Sequence, residues 1–342
     1  MARETFKKII TSSELSEKIL PKNRDLIGKF LREKDRKCSD KTILGYGSDL
    51  EIFFTWNVLY NDNRYFPEMK KREISEFFSY CASTLKWGSA RFGRMRSSIS
   101  GMADYIVKYY DEEYPNYRNF IKDTIEKMPK SAVREKTVLK EEDINKLLKW
   151  LRDSGRVQEA CFLSLAINSG ARISELIQFK TSSIDENRMV YTGNMFIETP
   201  EEIRTKGFGK IGHRMHKYII KDAFLPYFKN WMEERSRLGY STDCLFVNTL
   251  GKPATTQTIN SWLKRWGEYL NEDIYAHSFR HYFVTQLTRI GMPSDFIIDV
   301  MGWKTADMYK IYNDLTGKDK EWKGIDVLQK YLEKEDSESE DV

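Results

Sequence analysis

Cysteine is scarce and scattered in this chain. Cys38, Cys81, Cys161 and Cys244 match no zinc-ligand spacing and do not form a disulfide framework, so they read as the reduced thiols of a cytosolic protein. No stretch approaches the roughly 18 consecutive apolar residues of a membrane span. The opening Met1-Ala2-Arg3-Glu4-Thr5 leads into a polar segment without an apolar h-region, so no secretory signal and no membrane partner are expected. Internal repeats and long low-complexity tracts are absent too. A strong net charge is also missing, and +5 proves nothing by itself.

That modest charge conceals an asymmetry. Residues 333–342 hold six acids against one lysine, a net of −5, so the rest of the chain carries +10. A body that basic suits a polyanionic partner, although a merely soluble surface would look similar. With 342 residues, 40% hydrophobic and 31% charged, the chain reads as a soluble globular protein of two domains.

The first third reads as helical. Asn23 is placed to cap a helix carrying Leu26, Ile27, Phe30 and Leu31. Ser39-Asp40-Lys41-Thr42 opens a second helix with Leu44, Leu50, Phe53 and Phe54. A third covers about 74–85, and a fourth follows Trp87-Gly88 towards Tyr109. Such short helices make a small bundle. The pattern fades around 129–137 into Pro-Lys-Ser-Ala-Val-Arg-Glu-Lys-Thr, a linker.

Periodicity resumes at Glu141, with Ile144, Leu147, Leu148 and Leu151 on one face. Helices at about 141–153 and 156–168 precede a break at Ser169-Gly170, and another helix follows from Ala171. The region 189–220 looks β-rich, in segments 189–191, 202–204 and 217–220. From Lys221 the chain is mainly helical. His213 and His216 fall in the β-rich region, and two lone imidazoles there are not read as metal ligands.

Three stretches carry chemistry. In Asn168-Ser169-Gly170-Ala171-Arg172-Ile173-Ser174-Glu175-Leu176 a glycine ends one helix, and Arg172 and Glu175, three apart, share a face of the next. Alone, that is an ordinary surface pair. In Ala276-His277-Ser278-Phe279-Arg280-His281-Tyr282 the pair His277 and Arg280 projects from one side, while Phe279, Phe283, Leu287 and Ile290 form the core stripe. In Val300-Met301-Gly302-Trp303 and on to Tyr309 and Tyr312, the aromatics could simply be core.

Together the three resemble the boxes of the tyrosine recombinases, or phage-type integrases. Gly170-Ala-Arg-Ile-Ser-Glu-Leu176 resembles G-x-R-x-x-E-L, and His277–His281 resembles H-x-x-R-H. Gly302-Trp303 followed nine residues later by Tyr312 resembles the closing G-[HW]…Y box. Each box is weak by itself, but their order and the 23 residues from Arg280 to Trp303 also match. The resemblance covers roughly residues 23–325 and implies a mainly α fold with a small antiparallel β-sheet (α+β). Its expected layout is an N-terminal extension (1–22), a helical core-binding domain (23–128), the linker (129–137), a catalytic domain (138–328) and an acidic tail (329–342).

What it implies chemically is strand exchange through a 3′-phosphotyrosine, without metal, ATP or other cofactor. Arg172 and Arg280 match the two arginines that neutralise the phosphate, and guanidiniums suit that charge because they are planar, permanently charged and bidentate. His277 would be the general base and Tyr312 the nucleophile, with Tyr309 its rival. Trp303 stands where most members carry a second histidine; it offers one indole donor and cannot shuttle a proton. Arg204-Thr205-Lys206-Gly207 resembles the turn bearing the general-acid lysine, which favours Lys206 over Lys210. Glu175 would support a catalytic neighbour. Arg91, Arg94 and Arg96 form a basic helical stretch suited to phosphates.

The partners implied are double-stranded DNA with a specific site and a homotetramer on two duplexes clamped between the domains. The apolar residues Trp322, Ile325, Val327, Leu328 and Leu332 would pack on a neighbouring subunit. Competing readings are a DNA-binding protein of the same fold that has lost cleavage, a type IB topoisomerase, and a purely structural helical protein that leaves the spaced boxes a coincidence. Intact Arg172, His277, Arg280 and Tyr312 argue against the first. Relaxation of plasmids lacking any site would mark the second.

Overall fold

A computed structural model describes residues 11–129, 139–191, 195–207 and 209–312. The tail and the apolar segment beyond Tyr312 lie outside the described residues, as does most of the expected linker. The chain divides into two units, Met1–Arg134 with Gly207–Gly212, and Glu135–Lys206 with His213–Val342. Among the described residues no helix is long and apolar enough to cross a membrane.

The first unit is helical: α1 (Ser13–Lys18), α2 (Pro21–Asp35), α3 (Asp40–Tyr60), α4 (Lys71–Ser83), α5 (Ser89–Tyr109) and the single turn α6 (Ile121–Thr124). Its core is aromatic. Phe53 meets Phe54, Phe66 and Phe77 edge-on at centroid distances of 4.9–6.0 Å, a geometry that the ring quadrupoles favour. Leu44 does not join this core and is 74% exposed. At about 100° per residue it lies roughly 240° round α3 from Leu50, on the opposite side of the stripe.

Asn23 is not a cap. Pro21, with its fixed φ and no N–H to satisfy, begins α2 two residues earlier, and Asn23 ends up fully buried inside the helix. There its Nδ2 donates to the Arg64 carbonyl (2.8 Å) and its Oδ1 accepts from the Phe66 N–H (3.0 Å). It fastens α2 to the turn that delivers Phe66 to the core.

The second unit is built round α8 (Val157–Ser169), buried on every side from Glu159 to Ser169. It packs against α7 (Glu141–Asp153), α10 (Lys221–Arg237) and α12 (Ala276–Arg289). The expected face of α7, Ile144, Leu147, Leu148 and Leu151, is buried against it. The helix expected from Ala171 is the single turn α9 (Ile173–Leu176), with Arg172 extended at its head. Then come α11 (Thr256–Leu270), α13 (Ser294–Met301) and α14 (Ala306–Tyr312). On α12, Phe279, Phe283 and Leu287 are buried, but Ile290 is 67% exposed because the helix ends at Arg289.

The β-rich region resolves into two small antiparallel sheets. In one, β1 (Met189–Val190), β2 (Phe196–Glu198) and β5 (Tyr218–Ile220) lie in the order β1-β2-β5; β3 (Ile203–Thr205) and β4 (His213–Met215) make the other. The sequence reading missed β2, a strand of only three residues.

Asn23→Ala leaves the Phe66 N–H buried without its acceptor and removes one donor to the Arg64 carbonyl. It should lower the stability of the first unit by about 2–3 kcal/mol, measured by urea unfolding. A loss below 0.5 kcal/mol would return Asn23 to the status of a dispensable helix residue.

Candidate active site

The site is assembled where two helices stop. α8 and α13 both end on glycines in the left-handed region, Gly170 (φ 59°) and Gly302 (φ 63°). A side chain cannot be added at Gly170, because a Cβ there would lie 2.6 Å from Phe283 Cδ1 and 3.0 Å from Met301 Sδ. This ending turns the chain sharply, so that Arg172 follows in extended conformation. It also leaves helix-terminal carbonyls without intrahelical partners.

Arg280 takes those carbonyls. It is 1% exposed, and its Nη1 donates to the Gly170 carbonyl (2.8 Å) and its Nη2, at 3.4 Å, to that of Met301. Both lie at the negative ends of their helices, which suits a cation. Burial, then Arg172, pulls the Arg280 pKa down to about 10, while Glu175 and Tyr312 oppose the fall, so the group stays charged at neutral pH.

Arg172 is held by a carboxylate. Glu175 is fully buried; its Oε1 lies 2.8 Å from Arg172 Nη1 and its Oε2 accepts from the Arg172 backbone N–H at 3.0 Å. The surface pair of the sequence reading is thus an interior one, and Arg172 keeps 22% of its side chain exposed. Lys217, which no motif marked, places its ammonium 2.9 Å from the same Glu175 carboxylate, with only 4% of its side chain exposed.

His277 stands at the exposed first turn of α12. Burial lowers its pKa, with Arg172, Arg280, His281 and Lys206 adding to the effect, so the imidazole is neutral and basic at pH 7. Lys206, just after β3, therefore lies within electrostatic reach of the cluster. Gln178 ties that strand to α9: its Nε2 donates to the Arg204 carbonyl (2.9 Å) and to the Ser174 carbonyl, while its Oε1 accepts from the Arg204 N–H (3.2 Å). Lys210 is grouped with the first unit, where it pairs with Asp35 at 2.9 Å.

Tyr312 is 6% exposed and packs in the cluster of Phe196, Phe283, Val300 and Met301. Its ring lies 4.5 Å from that of His281, 5.2 Å from Trp303 and 6.4 Å from His277, with the Arg280 guanidinium 5.3 Å from its centroid. Tyr309 instead bonds Thr288 on the back of α12 (3.0 Å). Trp303 packs on the Arg280 guanidinium at 5.2 Å. Its Nε1 and Arg280 Nε are buried donors with no hydrogen-bond partner among the described residues.

Arg91, Arg94 and Arg96 lie on α5 in the first unit. Arg91 and Arg94 grip the buried Asp49 at 2.8 and 3.0 Å, and Arg96 donates to the Ile125 and Lys122 carbonyls. His216 bonds the Thr199 carbonyl and His213 the Thr205 hydroxyl. No group of three metal-ligating side chains occurs among the described residues.

The sequence model of the phage integrase family matches residues 137–318, more than half of the chain. The chain belongs to the phage integrase family. It is accordingly a tyrosine recombinase, an enzyme of DNA strand breakage and rejoining. Among relatives, the SPbeta prophage-derived recombinase-like protein YomM of Bacillus subtilis (strain 168) is 25% identical over 263 residues, covering 76% of this chain and 74% of YomM. Tyrosine recombinase XerC of Escherichia coli O157:H7 (strain EC4115 / EHEC) is 23% identical over 287 residues, covering 82% and 88%. In fold the recombinase resembles XerH bound to palindromic difH substrate, with a TM-score of 0.66 at 18% identity and coverage of 89% of this chain and 96% of that one. It also resembles a lambda integrase tetramer bound to a Holliday junction, with a TM-score of 0.62 at 16% identity and coverage of 85% and 77%.

Two expectations follow from the geometry. Gly170→Ala forces a Cβ into Phe283 and Met301, so the protein should lose about 1–3 kcal/mol of stability and cleave DNA at least about tenfold more slowly as the Arg280 anchor shifts. Wild-type stability and cleavage in that variant would contradict the packing argument. If His277 takes a proton in the reaction, cleavage falls as acid protonates it, and the lowered pKa puts that fall below the ordinary imidazole value of about 6.5. A pH–rate profile with its acid limb above 6.5 would contradict this.

Proposed function

We propose that this chain is a site-specific recombinase in which Tyr312 attacks a DNA phosphate held by Arg172 and Arg280. The observation that carries the reading is the pair of buried, unpartnered donors, Arg280 Nε and Trp303 Nε1, beside the Tyr312 ring. Buried donors without acceptors are costly, and an anion seated among them removes that cost. A phosphodiester is such an anion, and its negative charge grows in the transition state, where fixed donors stabilise it most.

The steps follow from the groups. His277 takes the phenolic proton of Tyr312, whose oxygen attacks phosphorus. The bond from phosphorus to the 5′ oxygen breaks, and Lys206 gives that oxygen its proton. The product is a 3′-phosphotyrosine and a free 5′-hydroxyl. Attack by the 5′-hydroxyl of a second duplex reverses the steps and completes exchange. Glu175 holds Arg172 in place. Among Arg91, Arg94 and Arg96, Arg94 keeps 55% of its side chain exposed and has surface left for a DNA phosphate.

The recombinase acts in the cytoplasm on double-stranded DNA bearing its recombination site, as a homotetramer on two duplexes, in the integration or excision of a mobile element or in replicon resolution. Residues 23–128 form its core-binding domain and 138–328 its catalytic domain, joined by 129–137, with an extension before and an acidic tail after. The +10 charge outside the tail supports DNA as partner.

A nicked suicide duplex carrying the element's own ends tests this. Wild type and Tyr309→Phe should form a denaturant-resistant adduct and Tyr312→Phe none. Lys206→Ala should slow adduct formation by about 10²–10⁴-fold, and Lys210→Ala by less than about threefold. Loss only in Tyr309→Phe would move the nucleophile. Absence of any adduct despite tight site binding would make the chain a DNA-binding protein without cleavage.

A further inference from the structure

Among the described residues, Lys217 is the buried charged group beside the site that the mechanism above does not use. It lies just before β5, and its position is fixed at the backbone. Its N–H donates to Thr199 Oγ1, and its carbonyl accepts from the Thr199 N–H, both at 2.9 Å. The side chain reaches the Glu175 carboxylate. Burying an ammonium this far is unfavourable unless it answers a charge of opposite sign.

Glu175 creates a difficulty that Lys217 resolves. Holding Arg172 at both its backbone and its guanidinium needs a carboxylate, and a neutral acid would accept more weakly. Yet a carboxylate touching the guanidinium cancels the charge that a phosphate must see. Arg172 and Glu175 sum to zero. With Lys217 the three groups sum to +1, and with Arg280 to +2, that is, three cations less one carboxylate. A pentavalent phosphate transition state is dianionic, so the restored charge is the amount that chemistry calls for.

We propose that Lys217 is a positioning residue of the phosphate pocket, whose ammonium neutralises Glu175 so that Arg172 presents its full charge to the scissile phosphate. It acts through Glu175 and does not touch DNA. The surroundings act on the two partners in different ways. Burial would raise the Glu175 pKa, but Lys217 and Arg172 outweigh it and hold the carboxyl ionised below its ordinary range. Burial draws the Lys217 pKa down, with Arg280 and Arg172 adding to the fall and Glu175 resisting it. The inference rests on the reading that Arg172 and Arg280 bind the scissile phosphate.

The test is single-turnover adduct formation by the full chain on the suicide duplex, with melting temperature and DNA affinity measured alongside. Lys217→Gln keeps a hydrogen-bond donor towards Glu175 but removes the charge. It should cut adduct formation by about 10²-fold while site affinity changes by less than about threefold. Adding Glu175→Gln removes the unopposed carboxylate and restores the charge sum. The double variant Lys217→Gln/Glu175→Gln should return to within about tenfold of wild type. A role in folding alone predicts instead that rate follows melting temperature through all three proteins. A single variant as fast as wild type, or a double variant as slow as a folded single one, overturns the proposal. Should Lys217→Gln yield no folded protein, the double variant decides by itself: recovery supports neutralisation, and a loss of about 10²-fold means that Lys217 acts directly. Failure of the phosphate-binding reading itself shows differently, as wild-type adduct formation undiminished by Arg172→Ala.

Discussion

The hydrogen bonds from Arg280 to the ends of two helices are the constraint on which the site depends. A guanidinium this deeply buried needs acceptors that hold it without cancelling its charge. The carbonyls of Gly170 and Met301 are such acceptors, because they are neutral yet lie at the negative ends of α8 and α13. For both to point at one group, two helices must end side by side. For the chain to continue, both must turn through left-handed glycines. Gly170, Gly302, the close approach of Met301 and the burial of α8 are therefore parts of one arrangement. The same turns start the segments that bear Arg172 and Trp303, so anchoring one arginine also positions its partners.

The two arginines are held by opposite strategies. Arg280 rests on neutral dipoles and keeps its charge. Arg172 rests on a carboxylate, which fixes it more firmly but offsets its charge. The difference suits their places, since Arg280 is 1% exposed and immobilised by packing, whereas Arg172 keeps 22% of its side chain exposed and has more room to move. A carboxylate clamp is the stronger restraint at a partly buried position, and it needs a counter-cation behind it if the pocket is to attract an anion.

The sequence made the site far more legible than its supports. Arg172, His277, Arg280, Trp303 and Tyr312 could be read because they stand in spaced boxes, and the structure brings them together. Lys217 and Gln178 could not, because both act across the fold and carry no local signature. Gln178 reaches the backbone of Arg204, and Lys217 reaches α9 from just before β5, contacts that exist only once the sheets have packed. The helices were legible from periodicity, while errors gathered at their ends. Asn23 looked like a cap because capping residues and buried amides are the same residue types, and only the proline two positions earlier decides between them. Leu44 and Ile290 looked like core because an apolar residue near a stripe is counted with it, and the face it occupies depends on where the helix begins and stops. Strand β2, Phe196–Glu198, was missed although β3 and β5 are no longer. Arg91, Arg94 and Arg96 read as a basic face, yet each is engaged within its own unit, which charge patterning cannot reveal.

Trp303 sharpens the division of labour. An indole donates one hydrogen bond and exchanges no proton, so at this position the pocket offers an anion binder only. Its ring lies 5.2 Å from both the Arg280 guanidinium and the Tyr312 ring, which are themselves 5.3 Å apart, so the three groups pack on one another. On the proposed mechanism, proton traffic then falls to His277 on the side of the nucleophile and to Lys206 on the side of the leaving oxygen. The environment matches that split. Burial, and after it the cations around the ring, keep His277 neutral and able to accept. Lys206 is exposed, beside the Gly207 turn. On that mechanism, a pocket whose indole cannot titrate has its pH response set by one base and one acid held on separate elements, α12 and the β3–β4 hairpin.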